Sequence, residues 1–345
     1  MDILNLKKRI AQILFAIAVL ALAANVAASK LIKNNIAYGI KDDNTRLIKE
    51  TFLKDLNDFG LQKDWIRKNS GKESQRNFYS YHVLIPKDLP IPVVLSEIYG
   101  SFSSTDVSVK CYEKVIGGKT VLNIYLDKNL KLTSEFDYDN NIRRDAGSVG
   151  IIVYGLDELN SKNADEIIKF PQSFVAAILP SKTAPQLAAR LAANRKQYGI
   201  LLNDNIKDLE FQLSKDFSAY RLKTVISSIV GTFQDAAFFI IDDRSSLYSS
   251  TAYNIIKNEF SKRNIKLIRE SAQTFVPDGS SSEVKKDFRK LVMSTHLGDN
   301  KIVCINADDF DSLEPEIFSL IKIGYKFVNP ALIIKPGSKD LPLNH

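Results

Sequence analysis

Five polar residues in the second half of the chain follow closely on apolar segments, where their side chains could do chemistry. A carboxylate beside a guanidinium can hold a hydroxyl group, or the two can form a purely structural ion pair. Carboxylates gathered at one edge of a sheet could also build a hydrolytic site. We predict two catalytic candidates, Asp242 and Arg244, and three binding candidates, Asn203, Asp204 and Asp308.

Ligands for a transition metal are scarce in this chain. It has 345 residues but only two Cys and three His, which excludes a disulfide scaffold and any metal site rich in these ligands. The acids could bind Ca²⁺ or Mg²⁺, yet their spacing matches no loop motif for these ions. The sequence also has no glycine-rich phosphate loop after an apolar segment and no Gly-x-Ser-x-Gly motif. We therefore predict no metal and no cofactor.

The charge of the chain is mildly basic. There are 47 Lys and Arg against 40 Asp and Glu, a formal net charge of +7. The basic residues are spread along the chain among acids, which is typical of a solvated surface. No basic stripe is interleaved with Tyr and Phe, so we predict no nucleic-acid partner. With 45% hydrophobic and 25% charged residues, the composition excludes a disordered, collagen-like or multi-pass membrane protein.

The elements that must position the five candidates alternate along the second half of the chain. Continuous apolar strands separated by helix-period segments predict an α/β fold with a parallel sheet, either doubly wound or a barrel. The carboxyl ends of such strands meet at one edge, which is where sites lie. Predicted strands span 149–154, 173–179, 200–202, 225–230, 236–241, 265–268 and 302–305, and predicted helices span 185–198, 248–263, 281–295 and 314–323.

The first half of the chain predicts a small α+β domain at 36–133. Its expected helices span 42–59 and 93–102, and its expected strands span 79–85, 107–112 and 121–126. The polar stretch 134–148 is predicted to be a linker.

The N-terminus predicts a membrane-targeting segment at 1–35. Three basic residues at 7–9 precede an apolar run at 10–28, which as a helix would be roughly 28 Å long. We predict a single-pass anchor in the cytoplasmic membrane, with a cleaved signal peptide as the alternative. Both interpretations place the body of the chain in the periplasm or the extracellular space.

Five segments of the second half resemble, in order, motifs of the divergent polysaccharide deacetylase family. This family is a branch of the carbohydrate esterases with a distorted (β/α) barrel. The resemblance covers about 149–335 and leaves 336–345 as a tail. The segments are "IIVYGLDELN", "FVAAILPSKTAPQLAARLAANRKQYGILLN", "SSIVGTF", "FFIIDDRSSLYSSTAYNIIK" and "IGYKFVNPALII".

The resemblance implies a metal site whose ligands are missing here. The family is expected to hold its metal with an Asp of the first motif and two His of the middle motifs. The Asp pair aligns with Tyr154 and Gly155, and the two His align with Asn203 and Ile229. A neutral phenol, a lone amide and residues without donor atoms bind a divalent cation poorly. The resemblance therefore predicts a degenerate member without metal-dependent deacetylation.

Three hypotheses about function follow. The first is an envelope protein associated with carbohydrate metabolism that binds a glycan, peptidoglycan or an envelope protein. The alternative is an active carbohydrate hydrolase with a rebuilt carboxylate site, which requires Asp242, Asp204 and Asp308 to converge in one pocket. A third is a structural scaffold whose small domain carries the partner interface.

Overall fold

The computed structural model describes residues 44–69, 78–103, 106–114 and 116–334. The chain divides between Arg143 and Arg144 into two compact units. The predicted anchor at 10–28 and the predicted tail at 336–345 lie outside the described residues. Within the described ranges, every helix is too short or too polar to cross a bilayer.

The first unit is a five-stranded sheet with two helices. The strand order is β1-β2-β5-β4-β3, and only the β2–β5 pair is parallel. Both helices contribute to one hydrophobic core with the sheet, including Phe52 and Ile98. In chain order, the elements are α1 (44–58), β1 (Ile66–Lys68), β2 (Tyr79–Pro86), α2 (Ile91–Phe102), β3 (Val107–Glu113), β4 (Thr120–Leu126) and β5 (Asn129–Asp139).

Strand β5 corrects the predicted linker at 134–148, because residues 134–139 belong to this strand. Ser134 and Phe136 point into the core and are almost fully buried. Glu135, on the opposite face, forms ion pairs with Lys114 and Lys119 of the neighbouring β-hairpin, at 2.7 and 3.2 Å. The apolar alternation of this strand is therefore interrupted at Ser134, a polar residue at a buried position, which makes 134–139 resemble a polar linker.

The second unit is built on a parallel sheet flanked by helices. The strand order is β10-β9-β8-β7-β6-β12-β11, and β13 pairs with the first half of β6. The elements are β6 (Ser148–Tyr154), α3 (Ser161–Ile168), β7 (Val175–Ile178), α4 (Ala184–Ala193), β8 (Gln197–Leu202), α5 (Ala219–Thr232), β9 (Phe239–Ile241), α6 (Thr251–Lys262), β10 (Leu267–Arg269), β11 (Thr274–Phe275), α7 (Ser281–Met293), β12 (Asn300–Asn306), α8 (Phe310–Ile323), β13 (Lys326–Val328) and α9 (Pro330–Ile333).

The length of one connection requires this sheet to curl. Its two edge strands, β10 and β11, are consecutive in the chain, and only residues 270–273 separate them. Five Cα steps from Arg269 to Thr274 span at most about 17 Å. A flat sheet would hold these edges roughly 29 Å apart, at about 4.8 Å per strand. The predicted α/β class with a distorted, barrel-like sheet is confirmed in this curled form.

Alternate side chains of the strands enter two different cores. On β6, Val149, Ile151 and Val153 pack against the helices. Ile152 and Tyr154 belong to the second core, inside the curl, together with Val175, Ala177, Phe238, Ile240 and Cys304. The short helix α9 lies against β6 at Gly150, where an added methyl group would come within 3.0 Å of the Pro330 Cα. One end of the curl is thereby covered.

The predicted strand at 225–230 is wrong, because these residues lie in helix α5. Leu222, Val225, Ile226 and Ile229 are all buried on the sheet side of this helix. Their spacing of three and four residues is helical, and the adjacent polar residues Ser227 and Ser228 break strand alternation. The β-branched residues of this segment suggested a strand, but packing on the sheet decides its conformation.

Candidate functional site

The carboxyl ends of four adjacent strands border one cavity of about 490 Å³. Residue Asn306 at the end of β12 pairs with Tyr154 of β6, which in turn pairs with Ala177 of β7. The parallel register therefore brings the following loops to the same rim. The lining residues are Tyr154, Gly155, Asp157, Glu158, Ala177, Leu179, Leu201, Asn203, Asn205, Asp278, Gly279, Asn306, Ala307, Asp308 and Asp309.

Tyr154 forms part of the cavity wall. Its side chain is 8% exposed, and its ring lies 5.0 Å from the ring of Phe275. Its hydroxyl has no hydrogen-bond partner among the described residues. Burial raises the pKa of Tyr154 far above its usual value, and the nearby Cys304 and Glu270 raise it further. The phenol therefore stays neutral and contributes no anionic ligand.

A tight turn after β6 fixes the next part of the rim. Gly155 has φ of +74°, a left-handed conformation that glycine adopts without strain. The chain then folds back so that the Asp157 carboxylate accepts a hydrogen bond from the Leu179 amide at 3.2 Å. Burial raises the pKa of Asp157. Asp157 thus joins the loop after β6 to the end of β7.

Asn203 is a buried amide at the end of β8. It is 6% exposed, and its Oδ1 accepts a hydrogen bond from the Asn205 amide at 2.9 Å. Its Nδ2 donates to none of the described side chains or carbonyls. Because Asn203 lines the cavity, this amide group is a free donor at the rim.

An acidic group stands on the opposite side of the cavity. Asp308 and Asp309 follow β12, and Asp278 follows β11. Burial raises the pKa of Asp309, and the charges of Asp278 and Asp308 raise it further. The Asp278 carboxylate accepts a hydrogen bond from Asn306 Nδ2 at 2.9 Å. Asp309 is therefore close enough to both of the other carboxylates to be repelled by them.

Asp242 and Arg244 form a second cluster with Glu270. The Arg244 amide donates to Asp242 Oδ1 at 2.9 Å, and its guanidinium donates to Glu270 Oε2 at 2.6 Å. Burial raises the pKa of Glu270, while Arg244 acts in the opposite direction. Asp243 beside them accepts hydrogen bonds from the amide and hydroxyl of Ser271. The cluster ties the end of β9 to the segment that joins the edge strands.

The structure separates the three carboxylates that the alternative hypothesis needs together. Asp308 lines the cavity, whereas Asp204 and Asp242 are absent from its lining among the described residues. Asp204 Oδ2 accepts a hydrogen bond from the Ser246 amide at 2.7 Å, which ties the loop after β8 to the loop after β9. Of the three binding candidates, Asn203 and Asp308 line the same cavity. Asp204 instead accepts a hydrogen bond that connects two loops. Asp242 and Asp204 therefore do not line this cavity with Asp308 among the described residues.

Two acids of these clusters escaped the sequence analysis. Glu270 lies two residues after the predicted strand at 265–268, so its position near a strand end was the signal for it. Asp278 follows β11, whose two residues carry no recognisable strand pattern. Nothing in the sequence therefore pointed to Asp278.

The residues at the strand ends do not fit the metal that the family resemblance implies. Tyr154 is a neutral phenol, Gly155 has no side chain, and the Oδ1 of Asn203 is taken by the Asn205 amide. Ile229 is fully buried in α5, so its alignment with a metal-binding His is wrong. No cluster of three or more His, Cys, Asp or Glu within the described ranges has a geometry suited to a metal ion.

Comparisons with known proteins yield only distant structural likenesses. The chain matches no protein-family model and no curated protein. The catalytic domain of a peptidoglycan N-acetylglucosamine deacetylase from Eubacterium rectale is similar at a TM-score of 0.38 and 12% identity, over 54% of this chain and 88% of its own. A CE4 family pseudoenzyme from Bacillus anthracis gives 0.38 and 12%, over 70% and 95%. A family 4 carbohydrate esterase from Streptomyces lividans gives 0.37 and 8%, over 58% and 100%. Likeness at this level assigns neither a family nor an activity.

Proposed function

We propose that this chain is a polysaccharide deacetylase-like protein of the cell envelope that binds a glycan without metal-dependent deacetylation. The observation that carries the proposal is the donor set at the strand ends. Where the resemblance places metal ligands, the cavity presents Tyr154, Gly155 and Asn203. The ordered motifs along 149–335 support the deacetylase-like part of the proposal.

The loss of the metal removes the two contributions that this hydrolysis requires. A metal polarises the acyl carbonyl and lowers the pKa of the attacking water. A neutral, buried phenol and an amide replace neither effect, because they carry no net positive charge. The polar groups that line the cavity are suited to binding, since amide and carboxylate groups at a concave rim can form hydrogen bonds with sugar hydroxyls.

Metal analysis and an esterase assay test this proposal. We expect the purified full-length protein to hold less than about 0.1 equivalent of zinc, and to release no acetate from N-acetylglucosamine oligomers or peptidoglycan. Zinc added in excess should not start turnover. Stoichiometric, tightly held zinc together with acetate release would overturn the proposal.

Binding to insoluble peptidoglycan provides the positive arm of the test. We expect the protein to sediment with peptidoglycan, and Asn203→Ala to weaken this binding because it removes the free amide donor of the rim. Asp216→Asn is a matched control, since Asp216 is exposed and lies outside the cavity. Equal sedimentation of all three proteins would place the binding surface elsewhere.

A further inference from the structure

We propose that the cavity at the ends of β6, β7, β8 and β12 selects a cationic sugar. Its ligand would be a glycan whose amino group is free and protonated, in preference to the N-acetylated form. This inference rests on the proposed function, since it names the class of glycan that the same cavity would bind.

The first support is the charge of the lining. Among the residues that the structure describes, fifteen line the cavity; five of these are acids, and none is Lys, Arg or His. The whole chain nevertheless carries a formal net charge of +7. A concave surface of one sign focuses its field and attracts ligands of the opposite sign. This cavity therefore attracts cations on a molecule that otherwise repels them.

The second support is the state of three carboxylates at the rim. The negative charges of Asp278 and Asp308 act on the partly buried Asp309, and no Lys or Arg in the described ranges forms an ion pair with any of the three. Glu270, by contrast, is buried and is paired with Arg244. A ligand that brings one positive charge would relieve the repulsion that acts on Asp309. An ammonium group suits this position because it presents three hydrogen-bond donors.

The third support is that the cavity also presents neutral groups, which a metal ion alone would not require as binding partners. Asn203 is 6% exposed, lines the cavity, and its Nδ2 has no acceptor among the described residues. An acceptor on the ligand, such as a ring or hydroxyl oxygen, would accept a hydrogen bond from this donor at the cavity surface. Beside it, the apolar ring of Tyr154 offers a wall for the sugar ring.

The size of the cavity also favours an organic cation over a metal ion. Its volume of about 490 Å³ lies in the range of small-molecule sites. A metal ion would fill little of this space, and the carboxylates are not arranged as a ligand set for one. An amino sugar combines the required positive charge, hydrogen-bond acceptors and ring in one ligand.

Calorimetry on the full-length protein with two matched tetramers tests the inference. The ligands are the glucosamine tetramer and the N-acetylglucosamine tetramer, at about pH 6 and low salt. We expect the amine form to bind at least about tenfold more tightly. The double variant Asp278→Asn/Asp309→Asn keeps the side-chain shapes but removes two charges, so it should reduce the preference to below about threefold. Asp216→Asn, an exposed carboxylate outside the cavity, should leave the preference unchanged.

The outcomes separate this inference from the proposed function. Equal binding of the two tetramers, or tighter binding of the acetylated one, overturns the inference and leaves glycan binding intact. Binding of neither tetramer overturns the inference and counts against glycan binding as well. Stoichiometric Ca²⁺ binding that the double variant abolishes also overturns it, because the carboxylates would then serve a metal ion. Acetate release would instead contradict the proposed function.

Discussion

At the scale of single residues, the two partners of the Arg244–Glu270 ion pair differ in solvent exposure, and this difference affects the free energy of unfolding when either is removed. The side chain of Glu270 is 6% exposed, whereas 77% of the Arg244 side chain is exposed. Removing Glu270 leaves a cation that water still solvates. Removing Arg244 leaves a carboxylate that is largely shielded from water, and an uncompensated buried charge is costly. The two truncations should therefore have different consequences.

We expect Arg244→Ala to lower the free energy of unfolding by about 2 kcal/mol, and Glu270→Gln by less than about 1 kcal/mol. Urea denaturation of both variants measures the difference. Arg46→Ala is the control, because it removes only an exposed ion pair with Glu50. Equal losses for the two variants of the pair would contradict this account.

The cost of Arg244→Ala should depend on pH. Burial already raises the pKa of Glu270 in the folded protein, and loss of Arg244 raises it further. A carboxyl with a raised native pKa holds its proton more tightly when folded, so the free energy of unfolding falls as pH rises through this range. We therefore expect a smaller loss near pH 4 than near pH 7, measured by urea titration at both. A loss that grows towards acid would contradict the assignment.

At the scale of elements, helix α5 is the clearest case in which the spacing of apolar residues predicts the structure better than the β-branched residue types do. Its buried residues lie three and four positions apart, and Ser218 caps its first turn by accepting a hydrogen bond from the Arg221 amide at 3.3 Å. Gly231 lies in its last turn rather than in a turn after a strand. An added methyl group at Gly231 would meet no atom within 4 Å.

Gly231→Ala should therefore stabilise the protein, by about 0.5 to 1 kcal/mol, because alanine loses less backbone entropy in a helix than glycine does. Thermal unfolding followed by circular dichroism measures the shift. Gly298→Ala is the matched control: its methyl group also meets no atom within 4 Å, but its φ of +92° strains any L-residue. The control should be destabilised by about 1 kcal/mol or more. Destabilisation by Gly231→Ala would refute the helix at this position.

At the scale of the whole molecule, the proposed function depends on where the chain acts in the cell. The basic residues at 7–9 and the apolar run at 10–28 motivate the proposal that the chain is exported and held at the membrane. An envelope position would place the cavity within reach of peptidoglycan. The proposed function depends on this placement, so it needs its own test.

Fractionation of cells that express the full-length chain tests the placement. We expect it in the membrane fraction, and a chain that lacks residues 1–35 in the supernatant. Val19→Arg, at the centre of the apolar run, should also release it, since a central Arg costs about 3 kcal/mol of insertion. Mass spectrometry of the mature N-terminus distinguishes an anchor from a cleaved signal peptide. Full-length protein in the cytosolic fraction would contradict export.

The sequence pattern correctly predicted the strands that are buried on both faces or that alternate strictly between apolar and polar residues. Strands β6, β7, β8 and β12 are buried on both sides, so they read as continuous apolar runs that predict a parallel sheet. Strand β5 escaped prediction because the polar Ser134 occupies a buried position where alternation calls for an apolar residue, while Glu135 and Asp137 on the outward face pair with Lys114 and Lys119 of the neighbouring hairpin. An ion pair between two strands cannot be recognised from the sequence of one of them alone.

The make-up of the cavity was decided by the tertiary structure. Asn203 and Asp308 were placed at strand ends by pattern alone, and both line the cavity. Asp204 follows Asn203 directly in the chain, yet its carboxylate caps another loop. Asp278 reaches the rim because the two-residue strand β11 pairs with β12, a pairing that the sequence of β11 does not indicate. Local sequence encodes which residues end a strand, whereas the direction of a side chain and the meeting of distant loops depend on how the sheet closes.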